Sequence, residues 1–207
     1  MMKKFIFVVC IVLGIFASAC SSNPKVDRVD ANTQTDLSGY WNDTDVRIVC
    51  ESLISNALSS PRIDAYIKNF TANNKGEVPA VIVGKFRNTS SEHIDTSIIS
   101  GIMRTAILNS GKLEFVEGGD ARDDIRAERQ DQQWNASEQT ASALAQETGA
   151  NFMLTGEVKS IIDKAGNTTV RTYFVKATMT NIETNRILWE GEHNDIKKII
   201  RQPRTKL

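Results

Sequence analysis

Apolar and polar positions along the chain alternate with two different periods, and the change between them divides it into helical and extended parts. Phe5 to Phe16 is an apolar run interrupted by Gly14, too short to cross a bilayer comfortably as a helix, which needs roughly 20 residues. Ser21 to Thr35 is polar and aperiodic, and reads as a flexible tether spanning at most about 50 Å when fully extended. Val46, Val49, Cys50, Leu53, Ala57 and Leu58 then recur at helical spacing, with Asn42, Asp43 or Thr44 as the cap and Pro61 as the stop or kink. A second helical piece is expected over Arg62 to Phe70. The strongest strand is Val78 to Phe86, whose consecutive apolar residues from Ala80 to Val83 imply cover on both faces. Ile98, Ile99, Ile102, Met103, Ala106 and Ile107 predict a helix over Asp95 to Asn109, closed by Gly111, and Leu113 to Glu117 a short strand.

The charge-rich segment Asp120 to Gln133 reads as an exposed helix. Another helix is expected over Glu138 to Thr148, capped by Asn135 or Ser137. Beyond it the period falls to two. Phe152, Leu154, Val158 and Ile162 mark one strand, Tyr173, Val175, Ala177 and Met179 the next, and Ile187 with Trp189 one face of a third over Ile187 to Glu192. Turns are expected at Lys164 to Asn167 and at Glu183 to Arg186, with Asn185 at positive φ. The fold class is α+β: a mixed, mostly antiparallel four- to five-stranded sheet with helices packed on it.

Composition is that of an ordinary globular chain, with 41% hydrophobic and 24% charged residues. Lys plus Arg equals Asp plus Glu at 25 each, so no basic excess points to nucleic acid. Lys3 and Lys4 before the apolar run, and the small residues Ala17, Ser18 and Ala19 after it, read as a secretory signal peptide. Cys20 directly after those small residues resembles the bacterial lipobox, although Ala17 stands where that pattern most often has Leu. The resemblance implies cleavage before Cys20, lipid on its thiol, and a mature chain whose lone Cys50 has no disulfide partner. The expected organisation is a signal peptide over 1–19, a lipidated Cys20 and tether over 20–35, and a single α+β domain over 36–207.

No HExxH, C-x-x-C or GxSxG pattern is present, and the chain contains 2 histidines, His93 and His193, both in polar sequence and read as surface residues. No cofactor, metal site or catalytic group is therefore expected. Candidate contact residues are the aromatics Tyr40, Trp41 and Trp134, which either anchor an interface or cover the edge of the core. Arg122, Arg126 and Arg129 belong to the charged helix, which is either a solvated face or a partner surface. The basic end, with Lys197, Lys198, Arg201, Arg204 and Lys206, either contacts an anionic lipid or polymer or is a frayed terminus.

Five segments in order resemble the LpoB-type activators of penicillin-binding proteins. They are Leu37-Ser38-Gly39-Tyr40-Trp41-Asn42-Asp43-Thr44-Asp45, Val78 to Asn88, Leu108 to Val116 with Asn109-Ser110-Gly111-Lys112, Thr148 to Leu154, and Asn181 to Glu192 with Leu188-Trp189-Glu190-Gly191. The resemblance implies an outer-membrane lipoprotein with its domain facing the periplasm. Such a protein is not an enzyme; it binds and regulates a peptidoglycan synthase of the penicillin-binding protein class. Activators of this type carry the domain on a long Pro-rich tether, whereas Pro24 alone interrupts this one. Pieces of the pattern also occur in curli-secretion-type lipoproteins and TolB-like domains, so a structural or secretion-associated envelope lipoprotein is the alternative.

Overall fold

The structure is a computed structural model that describes residues 27–30, 33–134 (backbone alone at 131–134) and 149–203. By internal contacts the chain divides into Met1–Thr33 and Gln34–Leu207, and the second unit carries the fold. The signal-peptide region, Cys20, the helix expected over Glu138 to Thr148, Arg204 and Lys206 lie outside the described residues.

Helix α1 (Asp43–Leu58) begins at Asn42, whose side chain accepts from the Asp45 amide while the Asp45 carboxylate accepts from the Asn42 amide, a capping box that satisfies two end groups reciprocally. Pro61 does not kink this helix. It opens α2 (Pro61–Asn73), where the missing N–H costs nothing. Strand β1 (Ala80–Asn88) leads to α3 (Thr96–Asn109), capped by Asp95. The Thr96 hydroxyl donates to the Phe86 carbonyl (2.7 Å), tying the helix start to the strand. Strand β2 is short (Glu114–Phe115), and α4 (Gly119–Trp134) follows. Strands β3 (Phe152–Ala165), β4 (Thr168–Asn181) and β5 (Ile187–Arg201) form a long antiparallel meander. Its turns use Gly166 at φ 56° and Asn185 at φ 57°.

The 5 strands form one mixed sheet in the order β2-β1-β3-β4-β5, with β1 parallel to both β2 and β3. Helices α1, α2 and α3 cover one face, here called inner. Val49, Leu53, Ile99, Met103 and Ile107 from the helices meet Phe152, Leu154, Val175 and Met179 from the strands, all essentially without solvent exposure. The Trp189 indole N–H donates to Asn56 Oδ1 (2.8 Å), which joins β5 to α1.

Five expectations need correction. Ile82 and Val83 are only half-buried: Val83 packs against the edge of the core under the helices, while Ile82 faces the other side of the sheet, where Arg122 and Arg126 share its pocket. On α3 the buried row is Ile99, Met103 and Ile107; Ile98 and Ile102 point outward, since a helix resting on a flat sheet buries a narrower stripe than its apolar content suggests. Ile187 and Trp189 do not share a face, because a register irregularity against Met179 and Thr180 turns Ile187 outward and leaves Trp189 buried. As far as the described residues run, the basic end is not frayed. Strand β5 continues to Arg201, placing Lys197, Lys198 and Arg201 in the sheet. A second irregularity, between the pairs Tyr173–Ile196 and Val175–His193, breaks the alternation there, so the strand pattern in the sequence stops before the strand does. His193 is also buried rather than at the surface, on the inner-face row with Val158 and Val175.

Candidate functional site

Strands β3 to β5 outrun the helices, and the chain before α1 covers the inner face of the overhang as a strap. Gly39 lies against Ile200 so closely that a β-carbon there would collide with the isoleucine side chain. Lys198, inward on β5, holds the strap with all three donors: to Asp36 Oδ1 (2.8 Å), to Asp45 Oδ2 (2.7 Å) and to the Tyr40 carbonyl (2.9 Å). Burial pushes the Asp45 carboxyl above its ordinary value even though Lys198 and the Asn42 amide pull it down. Asp36, in the open, is held below the usual carboxylate range by its bonds from Lys198 and Asn42.

Beside this lock lies a second polar cluster. The Trp41 ring meets Tyr173 edge-on, with centroids 5.2 Å apart. Glu92, from the loop after β1, accepts from the Trp41 amide (3.0 Å) and the buried Tyr173 hydroxyl (2.7 Å), and pairs with Arg171. The Arg171 guanidinium also sits 4.0 Å from the centre of the Tyr40 ring. Burial pushes the Glu92 carboxyl up, but the bonds from Tyr173, Trp41 and Arg171 outweigh it, leaving the group below its ordinary value. Burial and the neighbouring Glu92 push the Tyr173 hydroxyl upward. Glu92 and Arg171 are thus fixed as partners in one network, with Trp41 over the core edge and one side of Tyr40 exposed.

Among the described residues no helix lies over the centre of the sheet's outer face, which holds a groove of about 510 Å³. Its floor includes Met153, Thr155 and Gly156, and its rims carry Lys85, Arg87 and Lys176. The acidic groups there are engaged. Glu190 pairs with Lys176 (3.3 Å), and Glu157 is held below its ordinary value first by Lys159 (3.1 Å). Met153 also lines a neighbouring pocket of about 390 Å³, in which Ile82 and Ile182 meet Arg122 and Arg126 of α4. The Arg122 Nε–H donates to the Glu117 carbonyl (2.7 Å), and Arg126 lies 3.5 Å from Asp123. Spacings of four and three residues place Arg122, Arg126 and Arg129 on one side of α4.

The six candidate contact residues therefore do not form one site. Tyr40 and Trp41 belong to the strap on the inner face, Arg122 and Arg126 line the pocket beside the outer-face groove, and Arg129 lies further along the same side of α4. The side chain of Trp134 lies outside the described residues. Lys85, Arg87 and Lys176 were missed by sequence reasoning, although Lys176 is one of the polar positions alternating with the buried run of β4.

Among the described residues, no group of three or more His, Cys, Asp or Glu side chains could hold a metal ion. Cys50 is buried, and desolvation pushes its thiol up to about 11. No helix among the described residues is long and apolar enough to cross a membrane.

Three similar solved structures are the LpoB C-terminal domain from Escherichia coli, the same domain from Salmonella enterica, and E. coli LpoB solved by NMR. The first is 16% identical, with a TM-score of 0.42 over 76% of this chain and 99% of that one. The second is 17% identical, with a TM-score of 0.39 and the same coverage of 76% and 99%. The third is 13% identical, with a TM-score of 0.39 over 89% of this chain and 86% of that one. No curated protein matches the chain. The sequence model of a family described as peptidoglycan-synthase activator LpoB matches residues 45–194, from the first turn of α1 into β5. Because that match spans more than half of the chain, the protein belongs to the LpoB family of peptidoglycan-synthase activators, regulators of synthases and not enzymes themselves.

Proposed function

We propose that this protein is an outer-membrane lipoprotein, anchored through lipid on Cys20 with its domain in the periplasm, that binds and activates a peptidoglycan synthase of the penicillin-binding protein class. The family match carries this reading, because it covers α1 to α4 and most of the sheet. In this proposal residues 1–19 are the signal peptide, 20–35 the lipidated tether and 36–207 the working domain.

The contact surface we assign to the synthase is the outer-face groove with the neighbouring arginine side of α4. It combines exposed apolar groups, Met153 and Ile187, with Lys85, Arg87, Lys176, Arg122 and Arg126, a surface suited to an acidic partner with an apolar centre. Arg129 extends it along α4. Tyr40 and Trp41, on the opposite face, serve the strap. The test is capture of detergent-solubilised synthases on the immobilised protein, comparing wild type with R87E/R122E/R126E. The proposal expects a penicillin-binding protein on the wild type and at least a tenfold weaker complex with the variant, since each rim charge contributes about 0.5–1 kcal/mol. Equal capture by both proteins would move the contact elsewhere, and capture of no synthase would end the reading.

A further inference from the structure

The overhanging half of the meander presents a second outer surface that the groove does not use. Ile199 of β5 stands opposite Val170 of β4. Val170 is diagonal to Ile161 of β3, whose other diagonal neighbour is Phe174. Ile161 and Ile199 are 60% and 54% exposed. The result is a continuous apolar strip across three paired strands. Lys197 and Arg201, both exposed, stand on β5 on either side of Ile199, and Asp163, opposite Val170, is the acidic group within the strip. An apolar centre with a cationic rim on a rigid sheet matches the chemistry of an anionic bilayer surface.

The chain's entry point favours that occupant over a second protein. The strap passes beside Lys197, Lys198, Ile199 and Ile200, so the tether joins the domain at the end of the sheet that bears the strip. From Cys20 to that point it can extend at most about 50 Å. A leash this short keeps the local lipid concentration high enough for a weak surface to dock.

We infer that the strip of Ile161, Val170, Phe174 and Ile199, with Lys197 and Arg201, lays the overhang against the anionic lipid surface in which the chain is anchored. The inference rests on reading Cys20 as the lipidated residue. Met153 in the groove is eight residues along β3 from Ile161, about 26 Å away, so the groove stays available while the overhang is docked. The short tether then has a consequence: the domain works at its own membrane, and the synthase must come to it.

The test uses the full lipidated protein in phosphatidylethanolamine vesicles with or without phosphatidylglycerol. A photo-crosslinking benzoylphenylalanine replaces Ile161, Ile199 or, as a control on α1, Ile48. The inference predicts lipid adducts at positions 161 and 199 but not 48, in the phosphatidylglycerol vesicles. Lys197→Ala with Arg201→Ala should lower the docked fraction relative to undocked about thirtyfold, from about 1 kcal/mol for each cation at an anionic surface. Adducts no more frequent at 161 than at 48, or joining two copies of the chain, would overturn it. Flotation of the protein purified from cells reports separately on lipid at Cys20. If it does not float, coupling the Cys20 thiol to a maleimide lipid supplies the leash, since Cys50 is buried, and the same crosslinks decide the docking face.

Discussion

Replacing Lys198 with Met should cost far more than the loss of a surface lysine. The side chains of Lys198 and Asp45 are 11% and 4% exposed and their charges lie 2.7 Å apart. Removing the cation strands a buried carboxylate, a change that costs about 3–5 kcal/mol when a buried pair is broken. The Asn42 amide still donates to Asp45, which favours the lower end of that range. The bond to Asp36, which is 40% exposed, adds at most about 1 kcal/mol. The expected loss is about 3 kcal/mol, read in urea as a midpoint lowered by about 1.5 M at a slope of about 2 kcal/mol per molar. The double variant D45N/K198M removes both charges and should recover at least half of the loss. The pH dependence follows from the sign at Asp45. Its folded-state value is already raised, and losing Lys198 raises it further, so ionisation increasingly opposes folding as pH rises through it. The gap between K198M and wild type should therefore narrow as pH falls through those raised values and be smallest by the ordinary carboxylate value of 3.8. A loss under about 1 kcal/mol, or one unchanged by D45N, would refute the claim that this pair is buried and fastens the strap.

The Glu92 carboxyl sits below its ordinary value of 4.5, so its contribution is present above that pH and is lost as pH falls through the lower folded value. Thermal melts across that window should show wild type losing stability on acidification and Glu92→Gln starting lower but changing less. Gly39→Val should press on Ile200 and loosen the strap at a cost of about 1–3 kcal/mol, with Ile200→Ala in the same chain restoring part of it in urea titrations. Cys50, with its thiol raised to about 11, should resist thiol reagents at pH 8 in the native protein and react fully once it is unfolded in urea, monitored by absorbance.

The sequence showed the elements wherever one local rule decided them. Asn42 capping α1, the left-handed Asn185 and the buried alternation from Tyr173 to Met179 are each written in a few neighbouring residues. The polar networks were not visible, because their partners meet only through sheet register and the strap. Glu92 and Arg171 are 79 positions apart, and Lys198 reaches the Tyr40 carbonyl across 158. In sequence Glu92 resembles any loop carboxylate, and Lys198 belongs to a basic run that mimics a solvated tail. One signal was available: Tyr173 lies in a fully buried row, and a buried hydroxyl needs an acceptor. Of the candidate site, the charged face of α4 was legible from residue spacing. The groove beside it was not, because it depends on which strand faces the open side of the sheet.

Synthase activation is the claim on which the rest depends. The most direct measurement is the rate of glycan-chain polymerisation by a purified penicillin-binding protein from the same envelope, in vesicles with and without this protein. A faster rate is expected with wild type and the basal rate with R87E/R122E/R126E. An unchanged rate at concentrations where the two proteins bind would contradict it.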